Sequence, residues 1–393
     1  MPDNTRRARD EMFWHTFADR YAVEPGPVNL ENGYFGRLSR TVIEEYQRNI
    51  DLINRSNSVY VRQRFEQVDG ERIRTQLAEL IDVPVDAVAF TRNATEGLQS
   101  LIRNYNRLRP GDQVLICDLE YDTVKGAMRW LARHRGVEVI EIDHAHPASF
   151  DGLLATYRDA FARYPKLKLM ALTHVTHRTG LVMPVKEIVA AAKESGIDVI
   201  LDGAHALGQI EFNLADLGVA FAGYNLHKWI GAPLTLGFLY IAPERLADID
   251  PDMGEMHFPV TDIRARTSYS TPNIPALLTL PLVFEEHRAM GGAAAKGARL
   301  NYLRNRWVSA VRHLPGIDVM TPDDPRLYCG ITAMRFTRHA DQHAMVEQLL
   351  NAYNLFTVVR SGAASGPCIR ITPGLITTAT DMDTLSTALN ALR

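Results

Sequence analysis

Two short stretches of the chain hold residue types that could act together on one molecule. The first is an apolar run, Ile197-Asp198-Val199-Ile200-Leu201, which ends in Asp202 and continues as Gly203-Ala204-His205. The second, Asn225-Leu226-His227-Lys228-Trp229, follows Phe221-Ala222-Gly223-Tyr224 and precedes another apolar run over 236–241. A short β-rich run bounded by glycine and an acid predicts a buried parallel strand, with its polar end at the ligand-binding edge of an open α/β sheet. A carboxylate and an amine then face one crevice. A lysine amine forms an imine with an aldehyde, and a carboxylate keeps a pyridine nitrogen protonated so that the ring draws electrons from a substrate α-carbon. Singly these residues say little, since a strand-end Asp is commonly a helix cap or a surface acid and a lone Lys a solvated charge. The pair carries the reading.

Elements of the right kind surround both stretches. Apolar patterning predicts strands over 88–90, 113–117, 137–142 and 167–172, with helices starting near Leu98 and covering 125–135, 152–164 and 185–193. That alternation, ahead of the central stretch, predicts an α/β fold: a mainly parallel sheet covered by helices on both faces. Residues 37–82 read as helices, with Ile43, Tyr46, Ile50 and Ile53 on one face. Met12, Phe13, Phe17 and Tyr21 recur at helical spacing in an N-terminal arm that Pro25-Gly26-Pro27 breaks. Residues 28–36 read as an irregular loop and 243–275 as a long one; 276–312 is helical, and the remainder predicts a smaller α+β C-terminal domain. The expected division is an arm over 1–40, a large domain over 41–275 and a small domain over 276–393.

Several turns offer chemistry. Thr91-Arg92-Asn93-Ala94-Thr95-Glu96-Gly97 joins a strand to a helix, a geometry that aims backbone amides at an anion; an ordinary helix cap fits the same residues, and both can hold. Tyr121 lies just past a strand end, where a flat ring could stack on a cofactor or simply pack. Arg62 and Arg64 form the densest basic cluster, and a solvated face explains them as well as recognition of an anion.

The 393 residues, 46% of them hydrophobic with a formal charge of −3, suffice for sizeable cores and give no footprint for nucleic acid or an anionic membrane. The three cysteines show no paired spacing, which argues against a structural metal or a disulfide scaffold and sets a cytoplasmic address as the default. The adjacent Arg6 and Arg7 lack an apolar segment behind them, so they do not form a complete export signal. No apolar run is long enough to span a membrane.

The Asp202–His205 and Asn225–Lys228 motifs together resemble the class V aminotransferase family of pyridoxal-phosphate enzymes (fold type I), and within it the isopenicillin N epimerase-like branch. The resemblance covers roughly residues 28–390. It implies pyridoxal 5'-phosphate as cofactor, Lys228 as its Schiff-base lysine and Asp202 as the partner of the ring nitrogen. It puts His205 on the phenolic oxygen, Asn225, His227, Ala94 and Thr95 on the phosphate, and Tyr121 on the ring. From Thr173-His174-Val175-Thr176 it implies His174 and Thr176 facing cofactor and substrate. Asn32 and Tyr34 become substrate-side residues, and Arg370, with Arg360 nearby, grips the substrate carboxylate in a bidentate fork. Thr271 would reach across a homodimer to the partner's cofactor phosphate.

Departures narrow the expectation. Where the branch has Gly-Thr-Arg-Asp-Pro, this chain has Ser270-Thr271-Pro272-Asn273. Loss of that charged pair puts epimerisation behind transamination, oxidative deamination or C–S β-elimination of an amino acid or amino-acid conjugate in specialised metabolism. In the turn that carries the nucleophilic cysteine of one desulfurase subgroup, Arg360-Ser361-Gly362-Ala363-Ala364, the next residue is Ser365. A persulfide-forming reaction is therefore not expected. A non-catalytic cofactor-binding protein would lack the lysine or the acid, and both are present.

Overall fold

The computed structural model describes residues 2–268 and 270–393, so Tyr269 lies outside the described residues. Seven strands form the main sheet: β1 (Val88–Thr91), β2 (Gln113–Cys117), β3 (Glu138–Ile142), β4 (Leu167–Thr173), β5 (Asp198–Asp202), β6 (Phe221–Asn225) and β7 (Gly237–Ile241). Their order is β1-β7-β6-β5-β4-β2-β3, and β7 alone runs antiparallel to its neighbours. The expected mainly parallel sheet is therefore present.

Side-chain alternation shows that both faces are covered. Leu115, Cys117, Met170, Leu172, Val199 and Leu201 enter one apolar cluster, joined by the helices Gly70–Leu80, Phe150–Arg163, Val185–Glu194 and Ile274–Ala289. Val114, Ile116, Leu169, Ala171 and Ile200 enter another, under the helices Ala94–Asn104 and Asp122–Arg135. Period-2 strands buried on both sides need this double cover. The helix Ile274–Ala289 thus packs into the core of the large sheet.

A second sheet has the order β10-β11-β9-β8, all antiparallel: β8 (Ile317–Val319), β9 (Thr332–Phe336), β10 (Val358–Arg360) and β11 (Cys368–Ile371). The helices Gly292–Val311, Gln342–Tyr353 and Ala379–Leu392 pack on it. Two short strands were not expected. One is β8; the other is Val28–Asn29, which pairs in parallel with Leu355–Phe356 inside the stretch read as a loop.

The arm also differs from expectation. It forms two helices, Pro2–Ala8 and Glu11–Ala18, the second capped by Asp10. Met12 is exposed, and Trp14 is buried with Phe17 against Met290 instead. Phe13, Phe17 and Tyr21 of the expected stripe pack in this cluster, and Met12 alone of the four leaves it. Ile50 likewise faces outward from the helix Arg40–Tyr60. Among the described residues no helix is long and apolar enough to cross a membrane.

Candidate active site

The C-terminal ends of β4, β5 and β6 lie side by side, with Thr173 opposite Asp202 and Asp202 opposite Gly223. Asp202 is buried, and its Oδ1 accepts a hydrogen bond of 2.9 Å from the Ala204 amide. Burial pushes its carboxyl up, while that amide and Lys228 pull it down. Lys228, three residues past β6, has its Nζ 2.8 Å from His205 Nε2. Desolvation draws the lysine amine down to about 7, opposed by Asp202. His205 is held well below the usual histidine range, first by burial and then by Lys228.

Three separate parts of the chain fix the Lys228 turn. Gly36 N–H donates to the His227 carbonyl at 2.8 Å, His227 Nδ1 lies 2.9 Å from the Leu236 carbonyl, and buried Lys296 donates to the Trp229 carbonyl. A Cβ at Gly36 would overlap the Lys228 carbonyl, so only glycine lets the 30–36 segment pass this close. Beside the lysine is the N-terminus of the helix Ala94–Asn104. Asn225 Oδ1 accepts from the Ala94 amide at 2.8 Å, and the cap is Asn93, which accepts from the Glu96 amide at 2.9 Å. Thr95, in the first turn of that helix, lines the same space, where the helix dipole favours an anion.

On the other side are two arginines. Arg370, buried on β11, donates from Nη1 to the His177 carbonyl at 2.6 Å and from Nε to Glu31 at 3.2 Å, with Nη2 also on Glu31. Arg360 Nη2 donates to the same Glu31 carboxylate at 2.7 Å.

A cavity of about 410 Å³ gathers most of the expected residues. Ala94, Thr95, Tyr121, Asp202, His205 and Asn225 line it, as do His227, Lys228, Tyr34, Arg360 and Arg370. Four expected residues do not. His174 packs edge-on against Phe212, and Thr176 spends its hydroxyl on Thr179 and on the Leu181 amide within a turn. Thr173, Val175 and His177 line the cavity in their place, because alternate residues of an extended segment face alternate sides. The expectation for His174 and Thr176 was thus displaced by one residue. Asn32 donates to the carbonyls of Asn29 and Thr372, so it braces the loop and faces a hollow behind Lys228. Thr271 is exposed and lines a neighbouring hollow rather than its own chain's cleft.

The sequence reading missed Glu31 and His177. His177 meets Tyr121 edge-on at 5.0 Å, and burial, with Arg178 and Arg370, forces it down to about 2. Alternation puts His177 on one face with Thr173 and Val175, but which face meets the cleft is set by packing; no local signal marks Glu31. Away from the cleft, Cys117, Asp118 and His144 offer ligand atoms within 4.8 Å of one another. There Asp118 already accepts from the His144 ring at 3.0 Å and the Ala364 amide at 2.9 Å, tying β2 to the 361–366 turn.

Pyridoxal phosphate fits these residues. Asp202 Oδ2 has no protein donor among the described residues, and a protonated ring nitrogen supplies one. The buried Nδ1 atoms of His177 and His205, both cavity residues, also have no protein partner among the described residues. The helix N-terminus at Ala94 and Thr95 suits the phosphate.

Several known proteins resemble this chain. The chain is 27% identical to isopenicillin N epimerase of Streptomyces clavuligerus, over 96% of this chain and 98% of the relative. It is 30% identical to putative L-cysteine desulfhydrase 1 of Oryza sativa subsp. japonica, over 60% of this chain and 51% of that one. The solved complex of the cystine C-S lyase C-DES with its product cysteine persulfide superposes with a TM-score of 0.81 at 20% identity, covering 93% of this chain and 97% of that one. The family profile described as aminotransferase class-V matches residues 37–385, and the chain belongs to that family of pyridoxal-phosphate enzymes.

Proposed function

We propose that this protein is a pyridoxal-phosphate-dependent lyase that cleaves the C–S bond of a cysteine-type amino acid by β-elimination. The observation that carries the reading is that, among the described residues lining the cleft, Lys228 alone suits the role of base. Lys228, near 7, can both take and return a proton at neutral pH, whereas burial holds His177 down to about 2 and keeps His205 and His227 unprotonated. Elimination needs one base on one face of the α-carbon; inversion needs a donor on each side. When bound, the cofactor takes up the electron pair that the α-carbon releases on losing its proton.

The chain's residues divide the remaining work. Arg370 and Arg360 hold the substrate carboxylate, Asp202 keeps a proton on the ring nitrogen, and the helix N-terminus anchors the phosphate. Lys228 removes the α-proton; the electron pair forms a Cα=Cβ bond as the Cβ–S bond breaks, and the thiolate leaves with a proton. Hydrolysis of the enamine then yields pyruvate and ammonia. Ser365, standing where one desulfurase subgroup has its nucleophilic cysteine, supports release of a thiol rather than transfer of sulfur to the enzyme. Transamination and oxidative deamination use the same first proton transfer and differ in the products.

Epimerisation is the second reading, favoured by the near-full-length match to an isopenicillin N epimerase. Incubating the loaded protein with S-alkyl cysteines separates the two. Equal amounts of pyruvate and thiol are expected. An inverted amino acid without pyruvate would install the epimerase reading instead, and a keto acid that retains its sulfur would install transamination.

A further inference from the structure

Glu31 occupies the place where an arginine fork is expected to meet a substrate. It accepts from Nε and Nη2 of Arg370 and from Nη2 of Arg360, and all three side chains are at least partly buried. Its backbone is pinned. Thr372 N–H donates to the Leu30 carbonyl at 2.7 Å, Asn32 N–H to the Thr372 carbonyl at 3.2 Å, and Glu31 N–H to Asn29 Oδ1 at 2.9 Å. Thr372 is two residues past Arg370, so this pairing delivers Glu31 to the arginine by register rather than by chance of a rotamer.

The charges do not cancel. Two guanidinium groups face one carboxylate, leaving one net positive charge toward the cavity. Donors also remain: among the described residues Arg360 Nε has no partner, and each Nη of Arg370 carries a second N–H beyond the one given to His177 or Glu31, at an end that Gly33 adjoins, where a Cβ would come within 3.2 Å of Nη2. Glycine at 33 keeps that end open to the cleft, which Gly33, Arg360 and Arg370 all line.

We propose that Glu31 is a resident counter-ion that determines specificity: the site takes an α-amino acid with a single carboxylate and discriminates against one with a second. This rests on the reading of the cleft as an amino-acid site. One incoming carboxylate neutralises the remaining charge on the arginine donors. A second carboxylate in the same end of the cavity has no guanidinium left and meets Glu31 as a like charge, a repulsion that acts against the wrong partner. The preferred substrate is therefore an amino acid whose side chain is neutral or cationic.

The test uses isosteric pairs, L-glutamine with L-glutamate and L-asparagine with L-aspartate, titrated into the cofactor-loaded protein and followed by cofactor absorbance without reference to turnover. The wild type is expected to bind the neutral member of each pair at least tenfold more tightly. Glu31→Gln should shrink that ratio at least tenfold, mainly by tightening the dicarboxylate. Arg360→Gln, at a more exposed position, provides a second arm: it leaves no net charge and should weaken every amino acid at least tenfold. Ratios within twofold of wild type in Glu31→Gln, or unchanged binding in Arg360→Gln, overturn the proposal while the loaded cofactor spectrum leaves the proposed function standing. A protein that takes up no cofactor overturns both.

Discussion

Lys228 is a base near neutrality because its amine is desolvated at the cavity wall, with Asp202 too little to restore the usual value. Below about 7 the amine is protonated and cannot take an α-proton. The rate, as kcat, which reports the substrate-bound enzyme in which the Lys228 amine is free, should therefore rise about tenfold per pH unit up to about 7 and level above it. Initial rates across that range check this, and Lys228→Ala should lose activity at every pH. Lys296 gives the matching test in stability. Burial lowers it to about 7 from a usual 10.5, so between those values the unfolded chain holds a proton that the folded chain has lost. Its contribution is fully present above 10.5 and is lost as the pH falls toward 7. The wild-type melting temperature should rise from neutral to alkaline pH relative to Lys296→Met, which removes the group. Parallel curves for the two proteins would contradict the assignment. At this scale the acid and the lysine were legible from sequence, because each sits at a strand end that hydrophobic patterning marks. His177 was not, because the choice between 174, 176 and 177 depends on which face the extended segment turns to the cleft.

The elements meet at the cleft through a few close approaches. Gly36 crosses directly over the Lys228 carbonyl, and a methyl there cannot be accommodated without moving the loop. Gly36→Ala should destabilise the protein by about 1–3 kcal/mol, the usual cost of overpacking, and lower cofactor retention. Melting and absorbance after dialysis read both effects. Asn225 ties the end of β6 to the first turn of the helix Ala94–Asn104. Asn225→Ala should leave the Ala94 amide unpaired, at about 1–3 kcal/mol, and weaken phosphate anchoring so that the cofactor dissociates faster. Strands and helices of the large sheet were readable because their periods are local. The pairing of Val28–Asn29 with Leu355–Phe356 was not, since a two-residue strand has no period and its partner lies far along the chain.

For the molecule as a whole, Thr271 is the open end of the account. It lines a hollow beside its own cleft, exposed apolar side chains such as Tyr34 and Leu234 lie at the cavity, and exposed Met253 borders a further hollow beside Asn93 and Thr95. We expect a homodimer in which Thr271 serves the partner's cofactor phosphate. Sedimentation should give twice the chain mass. Refolded mixtures of Lys228→Ala and Thr271→Val protomers should regain activity that neither has alone, through the one cleft in each hybrid that has both groups. A monomer, or mixtures that never complement, would remove Thr271 from the site.

The sequence by itself determined the α/β class, the sheet edge at which the cleft lies, and the placement of Asp202 and Lys228 over one crevice, because each follows from side-chain periodicity and from the type of residue at a strand end. Only the tertiary structure decided which histidine faces the cleft and that Asn32 braces a loop. It alone decided that Glu31 stands between Arg360 and Arg370, for that contact joins residues more than 300 apart through strand register. Glu31 meets Thr372 with no turn to join them and too few residues to show a period, so their register is settled only when the elements pack.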